Sequence, residues 1–226
     1  MATSRGNAVT VAHIRQQLTA EQNNRYKDYQ IDRWIAHKAG DEQAVVNTIN
    51  NQPINEGRVR EIFASPERSA RLLKRMNHNH HTYVHIRDKQ QFVLFLDAGR
   101  QPTGDPPEVL VDEFLVMCYY LLGRAEELLG DGAHVDLIMD QRNYNLQMSE
   151  ARFRMNLTSE ILGRTFPYMI HSMQVANRWS PWFKKALNSL IALKKPSGVE
   201  PKFVLEGDII NNYGGAHVPI YLGGSL

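Results

Sequence analysis

Two aspartates close short apolar runs: Asp97 follows Gln91 to Leu96, and Asp140 follows Val135 to Met139. Carboxylates at such strand ends are where α/β enzymes place nucleophiles and metal ligands. An aspartyl-phosphate chemistry would need a second Asp two residues after the first, but Ala98 and Gly99 follow Asp97. His78, His80 and His81 offer imidazoles of the kind that bind zinc. No Cys or carboxylate stands beside them to complete and orient a site, so they read as a solvated polar loop. The single thiol, Cys118, lies in an apolar helical stretch and reads as core packing. Asn156-Leu157-Thr158 matches a glycosylation sequon by chance, inside an expected helix. The chain has no G-x-G-x-x-G, no Walker loop and no G-x-S-x-G elbow. Without a nucleophile–base pair the reading is a non-enzyme with no metal and no cofactor.

A second kind of chemistry lies near residue 180. Trp182, Phe183, Ala186, Leu187, Leu190 and Ile191 fall on one helical stripe, with Lys184, Lys185, Lys194 and Lys195 on its flanks and end. Indole rings favour a membrane interface, and lysines beside them meet anionic headgroups. The competing reading is an ordinary sheet-covering helix with a solvated basic face.

The elements that must hold these residues follow from periodicity. Val11, Ile14 and Leu18 mark a first short helix, and Ile31, Trp34 and Ile35 a second that ends at Gly40. Asp41 caps a third, carrying Ala44 to Ile49, and Asn51 to Gly57 reads as a loop. Ser65-Pro66-Glu67 starts another helix. The texture changes near Thr82, where Tyr83 to Arg87 alternates and Gln91 to Leu96 forms a compact strand. A long helix bears Val111, Phe114, Leu115, Cys118, Leu121, Leu122, Ala125, Leu128 and Leu129 without interruption and stops at Gly130. Strand Val135–Met139, helix Ser149–Leu162, strand Met169–Ala176, helix Pro181–Leu193 and strand Lys202–Leu205 follow. Strands alternating with helices predict an α/β fold with a largely parallel sheet. The expected division is a helical N-terminal lobe, 1–81, and an α/β domain, 82–226.

Composition narrows the function classes. Across 226 residues, 26 Lys and Arg against 24 Asp and Glu give a formal charge of +2, which speaks against a nucleic-acid binder. Hydrophobic residues at 42% exclude wholesale disorder. One cysteine excludes an internal disulfide and fits a reducing compartment. Met1 to Asn7 lacks the apolar core of a signal peptide, and no apolar run approaches the roughly 20 residues that span a bilayer. A cytoplasmic protein, transiently at membranes, is expected.

Phe166-Pro167, Met173-Gln174-Val175-Ala176-Asn177, Trp179 with Pro181-Trp182-Phe183, Lys202-Phe203-Val204-Leu205 and Val218-Pro219-Ile220-Tyr221-Leu222-Gly223-Gly224 stand in a set order. Together they resemble the CRAL-TRIO lipid-binding domains, the family of phosphatidylinositol-transfer proteins and of tocopherol- and retinaldehyde-binding proteins. Leu137-Ile138-Met139-Asp140 resembles the family's "DxxG" strand, with Asn143 in place of Gly. The likeness runs from about Thr82 to Gly224, and Tyr26 to Asn50 loosely resembles the family's helical N-terminal lobe.

The resemblance implies a sheet floored by apolar side chains, a helical gate, and a cavity holding one lipid. It places Val135, Leu137 and Met139 on the floor, with Phe114 and Ile161 nearby. Trp182, Phe183, Leu187, Leu190 and Ile191 would line the gate. Arg178, Trp179, Lys184, Lys185, Lys194 and Lys195 would contact a headgroup or the membrane. The positions used by phosphatidylinositol binders carry Leu157 and Leu190 or Ile191, and the hydroxyl pair of phosphatidylcholine binders falls at Val135 and Leu137. The implied function is binding one hydrophobic lipid (phospholipid, phosphoinositide or isoprenoid-like) and carrying or presenting it at membranes. The alternative is an adaptor module for small GTPases or other signalling partners, reached through the N-terminal lobe.

Overall fold

The computed structural model describes residues 9–78, 81–97, 100, 104, 106–142, 148–177 and 201–226. The chain begins with five helices: α1 (Val11–Arg15), α2 (Ala20–Arg25), α3 (Asp28–His37), α4 (Glu42–Ala64) and α5 (Pro66–His78). The starts of α1, α2, α4 and α5 are capped by side chains that satisfy orphan N–H groups. The Thr19 hydroxyl accepts from Gln22 N–H at 3.2 Å while Gln22 Oε1 accepts from Thr19 N–H at 2.9 Å. Asp41 Oδ1 accepts from Ala44 N–H at 3.0 Å, and Ser65 Oγ from Arg68 N–H at 3.3 Å. The apolar faces of α1, α3 and the first half of α4 close on Ile14, Ile31, Trp34, Val45 and Ile49, all buried.

The loop expected at Asn51–Gly57 is instead helix: α4 runs unbroken past Pro53. Proline withholds a backbone donor and ordinarily costs a helix interior about 3 kcal/mol. Here the side chains just before the proline bond back to the preceding turn. Asn51 Nδ2 donates to Asn47 O at 2.8 Å, and Gln52 Nε2 to Thr48 O at 3.2 Å. Gln52 also donates to Arg164 O at 2.6 Å and accepts from the Tyr119 hydroxyl at 2.9 Å. Tertiary contacts of this kind outweigh local propensity.

Beyond α5 come β1 (Thr82–Ile86) and β2 (Gln91–Asp97), then α6 (Pro107–Met117), a π-helical turn (Cys118–Leu122) and α7 (Gly123–Leu129). The uninterrupted helix expected here therefore carries a π turn. The extra residue per turn rotates the stripe, and Leu128, counted with the apolar face, is 48% exposed. Strands β3 (Val135–Asp140), β4 (Ile170–Ala176) and β5 (Pro201–Val204) follow, with α8 (Met148–Thr165) between β3 and β4. A short helix absent from the periodicity reading, α9 (Glu206–Tyr213), succeeds β5, and its start is held by Leu205 N–H on Asp208 Oδ2 at 3.0 Å.

The fold is α/β. The five strands lie in the order β1-β2-β3-β4-β5, with β1 antiparallel to β2 and the other neighbours parallel. Both crossovers among the described residues cover the same face. There Phe92, Leu94, Leu96, Val135 and Leu137 meet Leu115, Leu121 and Leu122 of the α6–α7 stretch and Ile161 of α8. On the opposite face Val93, Phe95, Ile138 and Ala176 pack against Ile209 and Tyr213 of α9 and against Val218 and Leu222. Covering both faces is what a mainly parallel sheet needs. Each large side chain buried this way contributes roughly 1.5–3 kcal/mol.

One carboxylate breaks the apolar pattern of the second face. Asp136, 4% exposed, accepts from Ser172 Oγ and from Tyr213 Oη, each at 2.7 Å, and from the Gln91 amide. Gln174 Nε2 donates in turn to Tyr213 Oη at 2.6 Å. Three donors make this buried charge tolerable and lock α9 onto the sheet.

The helical N-terminal stretch docks through Ile62 and Leu72, which pack with Val116 of α6, and through polar groups. Trp34 Nε1 donates to Arg164 O at 3.1 Å, at the exit of α8, where helix carbonyls lack intrahelical partners. Arg33 reaches Glu126 at 3.2 Å, and Arg58 and Arg68 each reach Asp112 at 2.8 Å. Among the described residues no helix is long and apolar enough to cross a membrane.

Candidate ligand-binding face of the sheet

Strand register turns the alternation of single strands into rows across the sheet. Leu94, Leu137 and Met173 form one such row, and Leu96, Met139, Val175 and Phe203 the next. Both rows lie on the face that α6, the π turn and α8 cover, because side chains two apart share a face. The result is an apolar floor four strands wide, running to the carboxyl ends of the strands.

Five of the residues singled out from the sequence come together here. Val135 and Leu137 are buried, Met139 is half-buried, Ile161 is buried on α8, and Phe114 of α6 packs partly buried against the same cluster. Leu157, standing where the resemblance would put an acid, is also half-buried against it. Trp182, Phe183, Leu187, Leu190 and Ile191 lie outside the described residues, as do Arg178, Trp179, Lys184, Lys185, Lys194 and Lys195 and the helix expected at Pro181–Leu193. Leu96, Met173, Val175 and Phe203 were not singled out as floor residues. Their signal was present, since each alternates with an inward partner on its own strand, but only the strand register shows that the rows join.

The carboxyl edge is polar and strongly tied. Asp140, buried, accepts from the backbone N–H of Arg142 at 2.9 Å, from its Nε at 3.0 Å and its Nη2 at 2.9 Å, and from Asn177 Nδ2 at 3.0 Å. Arg142 also reaches Glu206 at 2.8 Å and donates to Tyr221 O, so it binds the end of β3 to the C-terminal segment. Asp97 pairs with Arg100 at 3.1 Å. Burial pushes the Tyr221 hydroxyl pKa up, and the nearby Asp97 and Asp140 carboxylates push it further. With its lone pairs filled, Asp140 serves here as a structural anchor for the edge.

The remaining reactive groups fall elsewhere. Cys118 is buried in the π turn, and burial pushes its thiol up to about 12, which leaves it protonated at neutral pH. Asn156-Leu157-Thr158 lies within α8. His78 is exposed on α5 and His80 lies outside the described residues, but His81 departs from the solvated loop expected of it. Its side chain is buried where the chain enters β1, with Nε2 3.5 Å from Glu113 Oε1 of α6. Glu113 is itself paired with the buried Arg75. Desolvation lowers the His81 pKa, partly offset by Glu113 and reinforced by Arg75. The hairpin's packing on α6 carries this histidine inside, which local polarity could not indicate. Among the described residues no cluster of three or more His, Cys, Asp or Glu is placed to hold a metal ion.

Compared with known family models and with curated proteins, the chain matches none.

Proposed function

We propose that this protein binds a single hydrophobic lipid over the helix-covered face of its sheet and carries or presents it at membranes. The observation that supports this reading is the in-register apolar floor, Leu96–Met139–Val175–Phe203 beside Leu94–Leu137–Met173. Its position agrees with the resemblance over Thr82 to Gly224, which puts Val135, Leu137 and Met139 beneath the ligand. An acyl or isoprenoid chain laid on such a floor gains about 0.8 kcal/mol per CH₂ removed from water. The stripe of Trp182, Phe183, Leu187, Leu190 and Ile191 supplies a gate, and its lysines supply a membrane contact that favours the open state. Leucines and valines at the headgroup positions of the phospholipid exchangers favour a more apolar ligand or a phospholipid held differently.

Organic extraction of the purified protein followed by mass spectrometry is expected to recover one lipid per chain. Trp182→Ala with Phe183→Ala is expected to slow lipid exchange between vesicles while the fold persists. An unchanged exchange rate in the folded variant overturns the gate.

A separate observation favours the adaptor reading. A groove of about 480 Å³ lined by Ile54, Gly57, Arg58, Glu61 and Arg68 runs along α4 and α5. Ile54 is 68% exposed there, and Phe63 and Leu73 are exposed on the same two helices. Failure to recover lipid from the folded protein, with a partner lost on Ile54→Asp, would select this reading instead.

A further inference from the structure

We infer that Gln141 reads the polar end of the ligand, and that this end carries a hydrogen-bond donor, a hydroxyl in the simplest case; the inference rests on the lipid-binding reading above. Its starting point is the row beyond Leu96–Met139–Val175–Phe203. Gln141 N–H donates to Ala176 O at 3.0 Å, so the β3–β4 ladder continues one residue past the end of β3. Alternation then places Gln141 on the same face as Met139 and Leu137, while Asp140 turns to the other face with Arg142 and Asn177. Gln141 thus stands at the carboxyl rim of the apolar floor.

It is 5% exposed, and among the described residues its Oε1 has no hydrogen-bond partner. A buried carboxamide oxygen left in this state is costly, and native structures seldom leave one without a reason. The apolar side chains of the neighbouring rows cannot satisfy it. An acceptor at the edge of a lipid-sized apolar floor calls for a donor on whatever lies along that floor. A lipid alcohol meets the requirement; an ether or a simple ester of the same chain offers only acceptors and leaves Oε1 unpaired. Discrimination by an unpaired buried polar group is strong, because the wrong ligand incurs the full desolvation penalty.

The test uses the full chain and a matched pair of probes, oleyl alcohol and oleyl methyl ether, titrated and read by native mass spectrometry. The wild-type protein is expected to bind the alcohol about tenfold more tightly. Gln141→Met, which keeps the length of the side chain and removes the acceptor, is expected to erase that preference, and Gln141→Glu to retain it. Equal binding of both probes by the wild type overturns the role of Gln141 and leaves lipid binding standing. A preference that survives in Gln141→Met overturns it as well. If neither probe binds and extraction recovers no lipid, the lipid-binding reading falls, and this inference with it. Should Gln141→Met fail to fold, the wild-type comparison and Gln141→Glu still decide.

Discussion

Removal of one oxygen atom, in Tyr213→Phe, isolates what holds α9 to the sheet. The hydroxyl donates to Asp136 at 2.7 Å and accepts from Gln174 at 2.6 Å, and Asp136 and Tyr213 are both buried. A hydrogen bond to a charged acceptor contributes about 1.5–3 kcal/mol, and leaving the Gln174 amide with only its 3.5 Å bond to Ser172 Oγ adds up to about 1 kcal/mol. Asp136 keeps its bonds from Ser172 and Gln91, so its charge is not abandoned. The variant is therefore expected to lose about 2–4 kcal/mol of stability, with the ring contact to Phe95 retained. In a chain of 226 residues this lowers Tm by roughly 5–12 °C. Urea titrations of wild type, Tyr213→Phe, Asp136→Asn and the double variant complete a cycle. Its coupling energy is expected to exceed about 1 kcal/mol. A Tyr213→Phe loss below about 0.5 kcal/mol together with zero coupling would refute the idea that this network locks α9, and the apolar contacts alone would then be sufficient.

Three further outcomes are expected. The His81 pKa is lowered in the folded state, so below about pH 6.5 the unfolded chain takes up a proton first. This contribution to stability is fully present above that pH and is lost as pH falls, with a slope of at most about 1.4 kcal/mol per pH unit; His81→Gln is expected to flatten it in pH-dependent urea melts. Cys118 is expected to resist thiol reagents in the native protein and to react at once in urea, because its thiol is buried and its pKa raised. Arg142→Ala cuts the link from β3 to Glu206 and Tyr221, and is expected to speed amide exchange across residues 218–226 about tenfold with the sheet core unaffected.

Strands β2 to β5 could be found from the residues because short apolar runs bounded by Asp, Gly and Pro have few other uses, and their alternation with helices implied parallel pairing. Helix starts at Asp41 and Ser65 were equally evident, since capping is local chemistry. What escaped notice depends on distant partners. Pro53 and the polar run around it signal a loop, and Arg164 O and the Tyr119 hydroxyl, far along the chain, help hold Gln52 in a helix. The π turn at Cys118–Leu122 leaves the apolar spacing nearly intact and shows itself in the exposure of Leu128. His81 is polar among polar neighbours and enters the interior only because β1 packs beside Glu113. For the candidate site, Val135, Leu137 and Met139 could be picked out by alternation on one strand. Gln141 could not, because an unsatisfied acceptor exists only once its surroundings are folded.

The strand order has a consequence for where any ligand can lie. In open sheets that reverse their winding, two helices diverge on opposite faces at the reversal and leave a crevice above the strand ends, which nucleotide-binding enzymes use. Here every step from β2 to β5 advances to the next neighbour, so the order of the described strands never doubles back and sets no such reversal point. At the carboxyl edge Arg142 ties Asp140 at the end of β3 to Glu206, and Asn177 donates to Asp140. On the lipid-binding reading proposed above, room for a guest would be made beneath the helices, by parting them from the sheet. A site of that kind would be entered by a hinge-like opening, would suit a long slender molecule better than a compact polar one, and would empty most readily where the surroundings reward exposed apolar surface.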